Sequence, residues 1–189
     1  LYNRLSGETR MDINNVNDII VDRNNFKWYV GKGVSCFDGK AFTSYKRYQM
    51  EGISGAVDND NVKWFGTSDT GVWSFDGAAW TNYNKDNSPL KGKKLPVPFG
   101  EGVNPLMNWM IRVAADQNNV KWFADLDGII YSFDGTAWKT YGYEVTGLTA
   151  DGYPICNMFV DRNNVLWITQ RGLISFDGKS WKTWPGVRT

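Results

Sequence analysis

The sequence predicts an all-β molecule built from four similar units, and three observations carry that prediction. A seven-residue phrase ending in an indole recurs four times: Asp22-Arg-Asn-Asn-Phe-Lys-Trp28, Asp58-Asn-Asp-Asn-Val-Lys-Trp64, Asp116-Gln-Asn-Asn-Val-Lys-Trp122 and Asp161-Arg-Asn-Asn-Val-Leu-Trp167. Each copy is followed by Phe-Asp-Gly, beginning at Phe37, Phe75, Phe133 and Phe176, and then by an aromatic closing segment. No stretch shows sustained helical periodicity, whereas short apolar runs bounded by Asn, Asp and Gly recur throughout. Internal repetition at this spacing marks a solenoid, propeller or array.

The second copy shows how each unit is laid out. Gly55 to Asp58 is a short apolar strand, and Asn59-Asp60-Asn61 is a polar turn. Val62 to Phe65 reads as a half-buried strand, and Thr67 to Gly71 as a second turn. Val72 to Phe75 is a third strand, Asp76-Gly77 a tight turn, and Trp80 to Tyr83 the fourth strand. Asp-Gly is a strong hairpin signal because glycine tolerates the positive φ that the turn demands. The Asn-Asn pairs at 24–25, 118–119 and 163–164 serve similarly, since Asn enters the left-handed region more readily than most residues.

Four antiparallel strands joined by tight turns make one blade of a β-propeller, apolar on both faces and stable only when stacked on its neighbours. The expected architecture is a single domain over residues 1–189, with blades at about 13–45, 54–83, 110–141 and 155–184. It is either a complete four-bladed ring or part of a larger one. Trp28, Trp64, Trp122 and Trp167 are expected in the core, with the phenylalanines of the third strands and Phe42, Trp80, Trp138 and Trp181 of the fourth. Asp38, Asp76, Asp134 and Asp177 are expected to cap their turns by accepting backbone N–H groups.

The motif aspartates Asp22, Asp58, Asp116 and Asp161 are 36, 58 and 45 residues apart, so the connections are unequal. The excess lies in an inserted loop at 84–108, which holds Lys91, Lys93, Lys94 and Phe99, and in Gly142 to Asn157. Insertions in repeat folds emerge as loops on one face, often the binding face. Phe99, with Trp73 and Trp109 outside the repeated frame, are therefore the candidate ligand-binding residues, placed to stack on a sugar ring.

Composition narrows the function. The 189 residues carry 21 basic and 20 acidic side chains, a formal net charge of +1. That balance gives no reason to expect nucleic acid as a partner. No apolar run approaches the roughly 18 residues needed for membrane insertion as a helix. Histidine is absent, which removes the commonest general base, the Ser-His and Cys-His pairs and the commonest metal ligand. The chain begins at Leu1 rather than Met, which suggests processing or excision. Cys36 and Cys156 read as two buried thiols or as a disulfide joining the first and last repeats.

The frame Asp-x-Asn-Asn-x-x-Trp, followed by a glycine, an apolar pair and Phe-Asp-Gly-x-x-Trp-x-x-Tyr, resembles the two-component-regulator propeller repeat. The match is closest over Asp161 to Trp184, where Leu166-Trp-Ile-Thr169 and Gly172-Leu173 follow the family's core, and Gly147-Leu148 resembles its linker. The resemblance covers about residues 13 to 184. Departures exist: Asn stands where the family's turn has Gly, and Ala124 and Thr169 take the position held by Gly66 in the second copy. The resemblance implies a β-propeller of periplasmic sensor regions in bacterial hybrid two-component systems, or of secreted proteins, some of which detect glycan fragments. Family propellers typically have more than four blades, so four copies leave three possibilities: a four-bladed ring, half of a larger ring completed by self-association or by missing blades from another chain, or a segment of a longer polypeptide.

The residues offer less to catalytic chemistry. Ser74-Phe-Asp76-Gly-Ala-Ala-Trp80 is similar to the Asp-box of sialidases, but Arg112, Arg162 and Arg171 have no reason to converge. Asp58-Asn-Asp60-Asn and Asp125-Leu-Asp127-Gly offer oxygen ligands at short spacing, yet neither matches a twelve-residue calcium loop with its terminal Glu. Only four glutamates exist, Glu8, Glu51, Glu101 and Glu144, and none stands out as half of a glycosidase pair. The expected function is a non-catalytic, extracytoplasmic binding or sensing propeller, periplasmic or secreted, for a glycan or protein partner. It needs no metal or cofactor. The alternatives are a structural, self-assembling surface protein and, third, a polysaccharide lyase or hydrolase.

Overall fold

Each repeat folds into one four-stranded antiparallel sheet with its strands in chain order. The computed structural model describes residues 16–45, 50–68, 70–91, 110–125, 127–148 and 155–184. The first sheet holds β1 (Val16–Val21), β2 (Lys27–Gly31), β3 (Gly33–Phe37) and β4 (Phe42–Tyr45). The second holds β5 (Gly52–Val57), β6 (Lys63–Thr67), β7 (Val72–Phe75) and β8 (Trp80–Tyr83). The third holds β9 (Met110–Ala115), β10 (Lys121–Asp125), β11 (Ile130–Phe133) and β12 (Trp138–Tyr141). A one-turn helix, α1 (Tyr143–Thr146), precedes β13 (Asn157–Val160), β14 (Leu166–Thr169), β15 (Leu173–Phe176) and β16 (Trp181–Trp184).

The repeated phrase builds the first hairpin of every blade in one way. Asp58 Oδ1 accepts the amides of Asp60 (3.0 Å) and Val62 (2.9 Å), and its Oδ2 accepts Trp64 Nε1 at 2.9 Å. Asp22, Asp116 and Asp161 make the same three bonds to their own turns and to Trp28, Trp122 and Trp167. Asn25, Asn61, Asn119 and Asn164 take the left-handed conformation, with φ between 61° and 63°. The Asp-Gly turns are closed by the expected caps: Asp76 Oδ1 accepts the amides of Ala78 and Ala79, both at 2.7 Å, and Asp38, Asp134 and Asp177 repeat the arrangement. Those bonds to the charged form hold all four carboxyls below the usual range, Asp134 at about 2. Asp125 builds a further copy of the first turn, with Tyr131 in place of the indole (hydroxyl to Oδ2, 2.8 Å). Both segments with short-spaced aspartates are thus ordinary capped hairpin turns.

Blades pack face to face through three aromatic cores, one between each consecutive pair. The indole of one blade meets the phenyl ring of the next: Trp28 on Phe75 (5.7 Å between centroids), Trp64 on Phe133 (6.1 Å) and Trp122 on Phe176 (5.5 Å). Each of those phenyl rings is itself stacked on its blade's fourth-strand indole, Trp80, Trp138 or Trp181, at 4.6 to 4.7 Å. Two cores include a cation. Lys63 Nζ lies 5.2 Å from the Trp28 ring and 3.6 Å from Asp22, and Lys121 Nζ lies 5.4 Å from Trp64 and 3.9 Å from Asp58. Both lysines are buried, and both also donate to a carbonyl of their own turn.

Four expectations change. β6 is buried along its whole length rather than half-buried, because both faces of a central blade are covered. The connection from Gly142 contains α1, closed by Gly147 at φ 73°. Cys36 sits in the core between the first two blades, whereas Cys156 is exposed, and no disulfide joins them. Trp167, expected in the core, is only half-buried and packs at a tilt against Trp184 of its own blade, 5.8 Å between centroids. Among the described residues no fourth core joins the last sheet to the first, so the blades form an open arc rather than a closed four-bladed ring.

Candidate functional site

The first strands β1, β5, β9 and β13 lie side by side at the centre of the arc. Four residues upstream of each motif aspartate, these strands carry Asp18, Ser54, Arg112 and Asn157. The four equivalent positions line one cleft of about 390 Å³, together with Asn17 and Cys156. The strand pairing slips in register between Val16 and Asp18, between Gly52 and Ser54 and between Met110 and Arg112, so an irregularity sits beside the cleft in the first three blades.

Neighbouring blades cross-link the wall. Asp18 Oδ2 accepts Gly55 N at 2.9 Å, and its Oδ1 accepts Ile19 N at 2.8 Å. Asn17 Nδ2 donates to Gly52 O at 2.7 Å, and Arg112 Nε donates to Cys156 O at 2.8 Å. Asn157 Oδ1 accepts Met158 N. Ser54 is buried to 4% exposure, and its Oγ has no hydrogen-bond partner among the described residues. A buried hydroxyl without a partner is costly unless something else completes it. A carboxylate, a guanidinium, amides and a hydroxyl thus converge from four separate strands, with Ile20, Val113 and Met158 between them. Such a wall can hold a small polar molecule by hydrogen bonds at several points. Asp18 is the one acid among the described residues that line it, so no second carboxylate pairs with it there. Among the described residues no group of His, Cys, Asp and Glu is placed to hold a metal ion.

Of the residues expected to bind ligand, Trp73 lies in β7, packed edge-on against Trp80 (6.4 Å) with Nε1 donating to Thr70 Oγ1 (3.0 Å). It belongs to the aromatic packing between the first two blades and does not line the central cleft. Phe99 and Trp109, like most of the inserted loop, lie outside the described residues. The cleft residues themselves carry a signal in the sequence: the one position of the first strand where all four repeats are polar, and all four differ.

No family model matches the chain, and no curated protein matches it. Solved structures do. A virginiamycin B lyase from Staphylococcus aureus, crystallised with quinupristin, superimposes with a TM-score of 0.69 at 14% identity, over 95% of this chain and 59% of that one. YCF48 from Cyanidioschyzon merolae gives 0.60 at 15% identity, over 93% and 57%. The fold is a β-propeller. An extracellular domain from B. thetaiotaomicron, described as part of a hybrid two-component system, gives 0.64 at 14% identity over 96% of this propeller and 23% of that chain. The propeller spans between 56% and 59% of the lyase structures it matches. Among the described residues no helix is long and apolar enough to cross a membrane.

Proposed function

We propose that the chain is a non-catalytic, extracytoplasmic binding propeller that takes a small polyhydroxylated ligand, a glycan fragment, in its central cleft. The observation that carries this reading is the convergence of Asp18, Ser54, Arg112 and Asn157 from equivalent positions of four blades. Hydroxyl groups both donate and accept, and this set offers acceptors on Asp18 and donors on Arg112, with Ser54 and Asn157 able to do either. The extracellular B. thetaiotaomicron domain of similar fold supports a sensing role outside the cytoplasm. The non-catalytic reading is supported by the absence of histidine and by the single cleft carboxylate, since glycoside cleavage uses two and acid–base work is most often a histidine's. The lyases of similar fold keep an eliminating or hydrolysing enzyme as the third reading.

The test is calorimetric titration of the chain with a panel of neutral and acidic oligosaccharides, beside Arg112→Ala and Asn157→Ala. Saturable binding weakened at least about tenfold by either change supports the proposal. No binding to any member, or binding that both variants retain, overturns it. Turnover of a bound oligosaccharide would replace it with the enzymatic reading.

A further inference from the structure

Among the described residues that line it, the central cleft holds one acid and one base, and the two are not equally satisfied. Asp18 is answered by the backbone: its Oδ1 accepts Ile19 N at 2.8 Å and its Oδ2 accepts Gly55 N at 2.9 Å. Each carboxylate oxygen therefore faces an N–H dipole that offsets part of its charge. Arg112 has no such answer. Its Nε donates to Cys156 O at 2.8 Å, which commits one donor to the neighbouring strand and fixes the plane of the guanidinium. The Nη donors meet no acceptor among the described residues, and none of the carboxylates described forms an ion pair with them. Arg112 is half-buried, so this cation is partly withdrawn from water.

Ser54 stands on the adjacent blade. β5 runs beside β9, so Ser54 and Arg112 hold equivalent positions on neighbouring first strands. β5 has β1 on its other side and β9 has β13, so both residues lie between two flanking strands. The Ser54 hydroxyl, at 4% exposure and without a partner among the described residues, is an unused donor in the same wall. A half-buried guanidinium edge and a buried hydroxyl are both completed by one kind of group, an anionic oxygen.

We propose that the cleft selects an acidic sugar, with one oxyanion, carboxylate or sulfate, seated on the Nη edge of Arg112 and on the Ser54 hydroxyl. This rests on the glycan reading of the cleft and names the kind of glycan. Ring hydroxyls extend along the wall to Asn157 on one side and to Asp18 on the other. A neutral sugar gives Arg112 only hydroxyl acceptors, whereas an oxyanion makes charge-assisted bonds roughly twice as strong. Asp18 accepts hydroxyl protons but repels a second anion, so a ligand with one negative charge fits better than one with several. Ile20, Val113 and Met158 lie between the polar groups and suit the C–H face of a sugar ring.

The experiment is calorimetric titration of the chain with three probes: an oligosaccharide carrying one uronic acid, the same sugar with that carboxyl reduced to a hydroxymethyl group, and the reduced sugar carrying one sulfate. At least one acidic probe is expected to bind about tenfold or more tighter than the neutral one, a gap that narrows as salt is raised. Arg112→Gln should erase the gap, Arg112→Lys should keep part of it, and Asn157→Ala should weaken acidic and neutral sugars alike. That contrast separates recognition of charge from a general loosening of the wall, and the lysine variant keeps the test open if the glutamine variant unfolds. Cys156 supplies a second readout: its thiol is exposed at the cleft whereas Cys36 is buried, so a bound acidic sugar should slow alkylation there. A gap for neither acid, or a gap that survives Arg112→Gln, overturns the inference and leaves the glycan reading standing. If none of the three binds while another neutral sugar does, the inference alone falls. If no sugar binds, or binding leaves Cys156 alkylation unchanged, both fall.

Discussion

Replacing Asp58 by alanine tests how much of the molecule's stability is held between blades rather than within them. Asp58 and Asp116 make the same three bonds to their own blades, at 2.9–3.0 Å and 2.8–3.0 Å. Their indole partners, Trp64 and Trp122, are 4% and 5% exposed, although Asp58 itself is buried (3%) and Asp116 only partly so, which is why the comparison is completed by a double-mutant cycle. They differ in what the next blade brings. Asp58 faces Lys121 Nζ at 3.9 Å, whereas the blade after Asp116 has Leu166 at that position. Loss of the turn bonds strands one buried indole N–H and two amides that water reaches, about 2–4 kcal/mol in either variant. Only Asp58→Ala also leaves a buried ammonium without its anion. Removing one partner of a buried pair costs about 3–5 kcal/mol, but here Lys121 keeps the Asn119 carbonyl at 2.7 Å and the Trp64 ring, so about 1–2 kcal/mol is expected.

Asp58→Ala is therefore expected to lose about 3–6 kcal/mol and Asp116→Ala about 2–4. The assay is urea unfolding followed by tryptophan fluorescence and circular dichroism together, since repeat arrays can lose cooperativity between units. Lys121→Met, alone and combined with Asp58→Ala, closes a double-mutant cycle whose coupling should be about 1–2 kcal/mol. Equal losses for the two aspartates, with a coupling under about 0.5 kcal/mol, would refute the idea that the cation ties blade to blade.

Three further expectations follow from single sites. Burial pushes the Asp125 carboxyl up to about 6, so this group favours the folded state only while it is protonated. Its contribution is fully present only below the ordinary carboxyl value of 3.8 and is lost progressively as pH rises from there through about 6, which still leaves the molecule about 1 kcal/mol more stable at pH 5 than at pH 7 in urea titrations; Asp125→Asn should flatten that difference. The turn aspartates act in the opposite sense and lower down, since Asp134 loses its contribution only as pH falls towards about 2. Gly71 and Gly77 both have positive φ, 88° and 108°, but an added Cβ at Gly71 would stand 2.3 Å from Tyr83 O, whereas Gly77 has open space. Gly71→Ala should cost more than about 3 kcal/mol and Gly77→Ala about 1–2, and equal thermal shifts would contradict this. Ser54→Ala removes a hydroxyl that bonds nothing, so stability should hold within about 0.5 kcal/mol or rise, while affinity for a cleft ligand should fall; a large stability loss would mean the hydroxyl serves the fold.

The blades were legible because local chemistry and packing ask for the same residues. The motif aspartate caps its turn and holds its indole in all four blades, and Asp22 and Asp58 also face the next blade's lysine, so one repeated letter encodes several contacts. The third and fourth strands of the second blade, Val72–Phe75 and Trp80–Tyr83, fall where alternation and the Asp-Gly turn put them. The fate of Trp167 was not legible. It ends the same Asp-Arg-Asn-Asn phrase as Trp28, and what leaves it half-buried is that among the described residues no blade packs on its outer face. The cleft was missed for a different reason. Successive members of the set Asp18, Ser54, Arg112 and Asn157 lie 36 to 58 residues apart and meet only through radial stacking, whereas Trp73, an aromatic residue outside the repeated frame, has a ring that the blade packing already uses.

The distribution of sameness and difference along the repeats separates structure from recognition. A position that must satisfy an identical junction in each blade is held to one residue type, as with the motif aspartate and its indole. A position that faces the axis meets no neighbouring blade's core and is released from that demand. There the four repeats diverge to an acid, a hydroxyl, a base and an amide, which a purely structural array has no reason to assemble around one 390 Å³ cleft. Leu166 follows the same logic from the other side: it replaces the repeated lysine where the preceding core takes an aliphatic side chain instead.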